Sequence, residues 1–130
     1  MRNAMIMAGA FMLAAGLAQA EPVLGTWQTQ ADDNGNFGHV EIAPCGAAIC
    51  GTIVKAYNSS GAERPSDNIG RQMIWDMKAR GDGNYRGGKI WAPDRDKTYN
   101  SRMTLSGDQL EVNGCVLGIC RGQVWRRVAQ

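Results

Sequence analysis

The sequence has few of the residues on which most catalytic and cofactor sites depend. It contains one histidine, His39, and two phenylalanines, and its 14 basic residues nearly balance its 12 acidic ones. Without Arg2, which belongs to the leader described below, the count becomes 13 against 12, a net charge of about +1 with His39 neutral. A charge so close to zero argues against a general polyanion binder, and we expect no nucleic-acid partner.

Long apolar runs are absent after residue 20. The first twenty residues hold one charge, an apolar run from Ala4 to Leu17, and Ala18-Gln19-Ala20, which has the A-x-A form of a cleavage site. The run has about fourteen residues, whereas a membrane-spanning helix needs about twenty. These features predict a secretory signal peptide over 1–20, one domain over 21–130 that is periplasmic or secreted, and no membrane span.

Helical periodicity is also missing, because no segment after Ala20 repeats apolar residues at i, i+3, i+4, i+7 over about eleven positions. Short runs rich in Val, Ile, Thr, Trp and Tyr alternate instead with turn residues such as Gly81-Asp82-Gly83. Eight short strands leave two unpaired edges unless their sheet closes, so we predict an all-β, antiparallel up-and-down barrel. The predicted strands are Leu24–Gln30, Phe37–Ala43, Ile49–Tyr57, Met73–Ala79, Asn84–Trp91, Thr98–Leu105, Gln109–Gly114 and Ile119–Val128.

The four cysteines form two pairs, Cys45 with Cys50 and Cys115 with Cys120, each with four residues between. In an exported chain two disulfides are expected. Three pairings are formally possible, and we favour the two local ones because each pair flanks a glycine-containing bend. A zinc site of four thiolates would need the same residues reduced and usually closer spacing. We therefore predict no metal and no other cofactor.

The candidate chemistry is sparse. His39 and Glu41 share one face of a predicted strand and could act as an acid–base couple, but no nucleophile or metal motif accompanies them. Alternation of polar and apolar residues around them is typical of a half-exposed strand. We therefore predict a protein that is not an enzyme and has no catalytic residues.

Aromatic and sulfur-containing side chains supply candidate ligand contacts. We predict that Trp75, Trp91, Tyr99 and Met103 bind a small, partly apolar or amphipathic molecule at the open end of the barrel, with the polar segment Asn58–Gly70 as a flap. The alternative is that these side chains simply fill a narrow barrel. Eight basic residues against four acidic ones between Arg71 and Arg102 also allow an anionic glycan. A further alternative is an envelope interaction or stress-protection protein that acts through its outer surface. The oligomeric state stays open.

The two ends of the predicted barrel resemble lipocalin-like (calycin) barrels. Gly25-Thr26-Trp27 opens the first strand, and Gln123-Val124-Trp125-Arg126-Arg127 closes the last. The resemblance implies that the first-strand Trp27 packs against an arginine of the final strand and closes the barrel. Since residues two apart in a strand share a face, Arg127 accompanies Trp125 and is favoured over Arg126.

The order and spacing of further motifs are similar to the bacterial export family catalogued as domain of unknown function twenty-one forty-seven. The resemblance implies a periplasmic or secreted lipocalin-like barrel, and it carries no established reaction or ligand. The motifs are Cys50-Gly51-Thr52-Ile53-Val54, Asp67-Asn68, Gly87-Gly88-Lys89-Ile90-Trp91-Ala92-Pro93, Lys97-Thr98-Tyr99 and Gln123-x-Trp125-x-Arg127.

Overall fold

The structure, a computed structural model, describes residues 21–130, and the proposed signal peptide over 1–20 lies outside this range. The described chain contains strands and turns, and no helix in it is long and apolar enough to cross a bilayer. The strands are β1 (Gly25–Gln28), β2 (Phe37–Cys45), β3 (Ala48–Tyr57), β4 (Glu63–Arg64), β5 (Gln72–Gly81), β6 (Asn84–Ala92), β7 (Lys97–Ser106), β8 (Gln109–Val116) and β9 (Ile119–Ala129).

Eight of these strands form a closed antiparallel barrel, which confirms the predicted fold. Each strand pairs with its neighbour in the order β2-β1-β9-β8-β7-β6-β5-β3, and β2 pairs with β3 to close the ring. The turns Gly46-Ala47, Asp82-Gly83 and Gly107-Asp108 lie at one end, which we call the first end. The hairpin turn Leu117-Gly118 and the β6–β7 connection lie at the opposite, second end.

The segment between β3 and β5, predicted as one long loop, contains the additional two-residue strand β4. Asn58 starts the turn, because its side-chain oxygen accepts hydrogen bonds from the backbone N–H groups of Ser60 and Ala62, both at 3.0 Å. β4 then pairs with the end of β3. The N–H of Gly70 donates to the carbonyl of Ile53 at 2.7 Å. The chain therefore runs back along β3 before β5 begins.

Large side chains fill the interior of the barrel. The fully buried set contains two tryptophans, one tyrosine, two methionines and several aliphatic residues, drawn from most of the strands. A barrel of eight short strands has room for packed side chains or one small ligand. Here the side chains occupy that room; the largest are Trp27, Trp125, Tyr85, Ile42, Ile74, Met77, Met103 and Leu110.

Trp27 and Arg127 pack together where β1 meets β9. The indole N–H of Trp27 donates to the carbonyl of Val23 at 2.9 Å. The guanidinium carbon of Arg127 lies 4.4 Å from the centre of the Trp27 ring. The same guanidinium donates to the carbonyls of Pro22 at 2.7 Å and Leu24 at 3.0 Å. Arg127 thereby ties the segment before β1 to the final strand.

Two further polar contacts hold this first end together. Arg127 Nε lies 3.2 Å from a carboxylate oxygen of Asp108 in the β7–β8 turn. The hydroxyl of Tyr85 donates to the carboxylate of Glu21. Burial, followed by this hydrogen bond, raises the pKa of Tyr85 well above its ordinary value, so the donor stays protonated.

The disulfides join Cys45 to Cys50 at the first end and Cys115 to Cys120 at the second. Both predicted pairings are therefore confirmed. Each bridge closes a hairpin of short sequence separation, for which the chain-entropy model gives a stabilisation of about 2 kcal/mol. The presence of two bridges fits an oxidising compartment.

Candidate functional site

A row of four residues crosses the outer wall of the barrel near its second end. Trp75 on β5 pairs with Lys89 on β6, Lys89 with Asn100 on β7, and Asn100 with Cys115 on β8. Directly opposed residues in an antiparallel pair project from the same face. Since Lys89 and Asn100 are exposed, whereas Gly88 and Ser101 beside them are buried, the row faces outward.

A groove of about 440 Å³ opens along this row, and we call it the wall groove. Its polar contacts come from Lys89 and Asn100, which are themselves joined by a hydrogen bond of 2.6 Å from Lys89 Nζ to Asn100 Oδ1. The Cys115–Cys120 bridge fixes one side of the groove. The complete lining is Trp75, Lys89, Thr98, Tyr99, Asn100, Cys115, Val116 and Leu117.

The structure brings together two of the four sequence-predicted ligand residues, Trp75 and Tyr99, both partly buried, in the wall groove. Met103 is fully buried and belongs to the core. Trp91 is 5% exposed and also belongs to the core cluster. The predicted set is thus divided between the outer wall and the packed interior.

Trp91 is covered by a side chain from the segment that precedes β5. The guanidinium carbon of Arg71 lies 3.3 Å from the centre of the Trp91 ring. The indole N–H donates to a carboxylate oxygen of Asp96 at 2.8 Å. The ring face of Trp91 is therefore stacked on Arg71, and its N–H is hydrogen-bonded to Asp96, so both groups of the indole already have partners within the protein.

Sequence reasoning did not assign Asn100, Val116 or Leu117 to the ligand site. Asn100 reaches the groove through its pairing with Lys89 and Cys115, a register that a single sequence does not reveal. Val116 and Leu117 follow Cys115 at the end of β8. One local signal was available, because Leu117 and Gly118 form a two-residue turn between predicted strands. An apolar residue at such a turn is exposed by geometry, and Leu117 is 95% exposed.

The single histidine lies in a separate cluster on the outer wall, between β1 and β3. His39 Nε2 donates to the side-chain oxygen of Gln28 at 3.2 Å, and the Tyr57 hydroxyl donates to Nδ1 at 3.4 Å. Phe37 stacks on Tyr57 with ring centres 5.0 Å apart. The partners of the His39 ring are therefore Gln28 and Tyr57, and within residues 21–130 His39 makes no hydrogen bond or ion pair with Glu41, the residue considered as its acid–base partner.

The charge state of His39 follows from this environment. Burial, and then the positive charge of Lys55, lower the pKa of His39 from its ordinary value of 6.5, while Glu63 acts in the opposite direction. The folded protein therefore favours the neutral ring, whose Nε2–H and bare Nδ1 match the two hydrogen bonds.

We expect protonation of His39 to destabilise the fold. Because its pKa is lower in the folded state, the unfolded chain binds more protons, and stability falls as the pH drops from about 6.5 through the folded-state pKa. Denaturant unfolding at pH 7.5 and pH 5 should show a smaller loss of stability in His39→Gln than in the wild type. An imidazole that titrates at or above pH 6.5 by NMR would contradict this expectation.

Within the described range, no three His, Cys, Asp or Glu side chains come together in an arrangement that could hold a metal ion. The lining of the wall groove supplies aromatic, aliphatic, amide and ammonium groups. Such a set can bind an organic molecule by apolar contact and a few polar bonds.

Comparison with known proteins identifies a family and a fold. The family model described as an uncharacterized protein conserved in bacteria (DUF2147) matches residues 25–127. No curated protein matches the chain. Among solved structures, the chain is similar to protein HP1028 from the human pathogen Helicobacter pylori, which is described as belonging to the lipocalin family. The two share 20% sequence identity over 82% of each chain, with a TM-score of 0.66.

The structural match shows a lipocalin-like fold, in agreement with the closed barrel and the packing of Trp27 against Arg127. The family match covers β1 and nearly all of β9, so it includes the first and last strands of the barrel, which pair with each other. On this evidence the chain belongs to the DUF2147 family.

Proposed function

We propose that this is an exported, non-enzymatic protein that binds a small, partly apolar molecule in the wall groove. A lipocalin-like barrel suggests binding of small ligands in general. Export is supported by the signal-peptide pattern of residues 1–20 and by the two disulfides. The site is supported by the wall groove, whose composition and size are suited to such a ligand.

The wall groove is the observation that carries the proposal. Ligand sites usually have volumes of about 300–1,000 Å³, apolar or aromatic linings and a few convergent polar groups. The groove has about 440 Å³, with Trp75 and Tyr99 beside Lys89 and Asn100. Val116 and Leu117 are 53% and 95% exposed, so a ligand could remove apolar surface from water there.

The interior offers less room for a ligand. Met103 and Leu110 are both fully buried, as are the rings of Trp27 and Trp125 to within 1%. Opening a cavity among such side chains would cost several kcal/mol of packing, roughly 2–5 for each large residue that loses its contacts. The wall groove requires no such rearrangement, and therefore the proposed site lies outside the barrel.

The test uses decan-1-ol, an uncharged amphipathic probe, in an NMR titration of the ¹⁵N-labelled domain. We expect chemical-shift changes at the amides of Thr98, Tyr99 and Leu117 and at the indole N–H of Trp75. Shifts confined to Met103, Leu110 and other interior residues would place binding in the barrel and overturn the proposal. Absence of any saturable shift would overturn it as well.

A matched pair of variants checks the location. Leu117→Asn is expected to weaken decan-1-ol binding about tenfold, because roughly 1.4 kcal/mol of apolar contact is lost. The backbone should tolerate this change, since Leu117 has φ +52° and asparagine adopts such angles readily. Val128→Asn, at an apolar residue of β9 that is 48% exposed, serves as the control and should bind like the wild type.

A further inference from the structure

A second, smaller groove adjoins the wall groove. It has a volume of about 230 Å³ and shares Lys89, Asn100 and Cys115 with its neighbour. The shared residues make the two grooves one continuous depression on the outer wall. We call the smaller one the basic groove, since its other lining residues are Arg86, Gly87, Gly88, Ser101 and Arg102.

Three cations line the basic groove and no acidic residue does. Among residues 21–130, the salt bridges join Arg95 to Asp94 and Arg127 to Asp108, so Arg86, Lys89 and Arg102 have no carboxylate partner there. Arg86 makes one long hydrogen bond, 3.4 Å, to the carbonyl of Tyr85. Most of the guanidinium donors are thus free for a ligand.

A β-bulge explains why the cations converge. Tyr85 pairs with Met103 and Gly88 with Ser101, so the two residues Arg86 and Gly87 stand opposite the single residue Arg102. Gly87 is the glycine of this bulge and has φ +79°. A Cβ at this position would meet no atom within 4 Å. The glycine therefore leaves an open floor between the side chains of the two arginines.

Charges next to the basic groove change its positive electrostatic potential without cancelling it. On β5, Lys78 pairs with Arg86 and adds a fourth positive charge to the three of the basic groove. Asp76 is the one acidic residue of that strand. Glu111 on β8 pairs with Thr104, beyond the groove. Neither carboxylate lines the depression.

We propose that the basic groove binds the anionic group of the ligand whose apolar part lies in the wall groove, so that the physiological ligand is an amphipathic anion with a single hydrocarbon or aromatic body. This inference rests on the proposed function. A carboxylate accepts charge-assisted hydrogen bonds from arginine, often two at once from the planar guanidinium. Lys89, common to both grooves, stands at the junction between the charged and apolar ends.

The experiment compares decanoate with decan-1-ol, two probes of equal chain length that differ in charge. Calorimetric or NMR titration of the wild-type domain at low ionic strength should give about tenfold tighter binding of decanoate. The difference should shrink as salt is added, because ions screen exposed charges. Equal affinities for the two probes would overturn this inference and leave the proposed function intact, whereas failure of both probes to bind would overturn the proposed function.

Variants that remove positive charge test whether the basic groove causes the preference for decanoate over decan-1-ol. In Arg86→Gln/Arg102→Gln, decanoate affinity should fall about tenfold, to that of decan-1-ol, while decan-1-ol affinity stays constant. Arg64→Gln/Arg126→Gln removes two exposed charges elsewhere on the barrel and should keep the decanoate preference. A preference that survives in the first variant, or disappears equally in both, would show that the basic groove does not bind the anion.

Discussion

Replacing Trp27 with alanine is expected to lower the free energy of unfolding by about 3–5 kcal/mol, the range for truncating a fully buried tryptophan. Trp27 is 0% exposed, and its N–H hydrogen bond to Val23 is lost together with its packing. Urea unfolding followed by circular dichroism measures the change. A loss below about 1.5 kcal/mol would contradict the assignment of Trp27 as the residue that closes the barrel.

The partner of Trp27 can be tested in the same experiment. Arg127→Met keeps much of the side-chain volume but removes the guanidinium that contacts the ring and the carbonyls of Pro22 and Leu24. We expect a loss of about 2–3 kcal/mol, with a coupling energy of about 1–2 kcal/mol to Trp27 in a double-mutant cycle. Arg126→Met, at the exposed neighbouring position, is the control and should change stability by less than about 0.5 kcal/mol.

The second large effect is expected at Gly25, the first residue of β1. A Cβ at this position would lie 2.5 Å from the carbonyl oxygen of Ala129 and 3.2 Å from a guanidinium nitrogen of Arg127. The backbone of Gly25 also has φ +132°, which side-chain-bearing residues rarely adopt. Gly25→Ala should therefore destabilise the protein by about 3 kcal/mol, since β1 and β9 must separate to relieve the contact.

Gly61→Ala separates the two causes. Gly61 has φ +84°, but a Cβ there would meet no atom within 4 Å. This control carries the backbone strain without the clash and should cost only about 1 kcal/mol. Equal losses for the two variants, measured by urea unfolding, would show that β1 does not approach β9 as closely as described.

The strands of the barrel were predictable from local patterns. Val40 and Ile42 are buried on either side of exposed Glu41, as period-two alternation in β2 requires. The predicted ends of the strands were less accurate than their positions. β1 covers Gly25–Gln28 rather than the predicted Leu24–Gln30, and β9 extends one residue beyond the predicted end at Val128. These differences arise because the ends depend on which neighbouring strand remains within hydrogen-bonding distance.

The candidate site was only partly predictable. The register of β5, β6 and β7 aligns Trp75 with Lys89 and Asn100 in the wall groove. Tyr99 is aligned through Ile90 with buried Ile74, and it lines the same groove from this adjacent row. The pairing of β5 with β3 is irregular between Ile74 and Met77, and this irregularity, like the bulge in β6, interrupts simple alternation. The left-handed residue Asp76 there separates outward-facing Trp75 from buried Met77. A bulge changes which face every later residue occupies, so counting by twos from one end of a strand fails beyond it.

The amino-acid sequence by itself determined the strand-rich class and the hairpin order, and it favoured the observed pairing of the cysteines, because each depends on residues within about ten positions of one another. The tertiary structure decided that Met103 is core, that Arg71 covers Trp91, and that Lys89 lies between an apolar and a basic groove. Those outcomes depend on cross-strand register and bulges, which join residues far apart in the chain and are specified by the packing of the whole barrel rather than by any single segment.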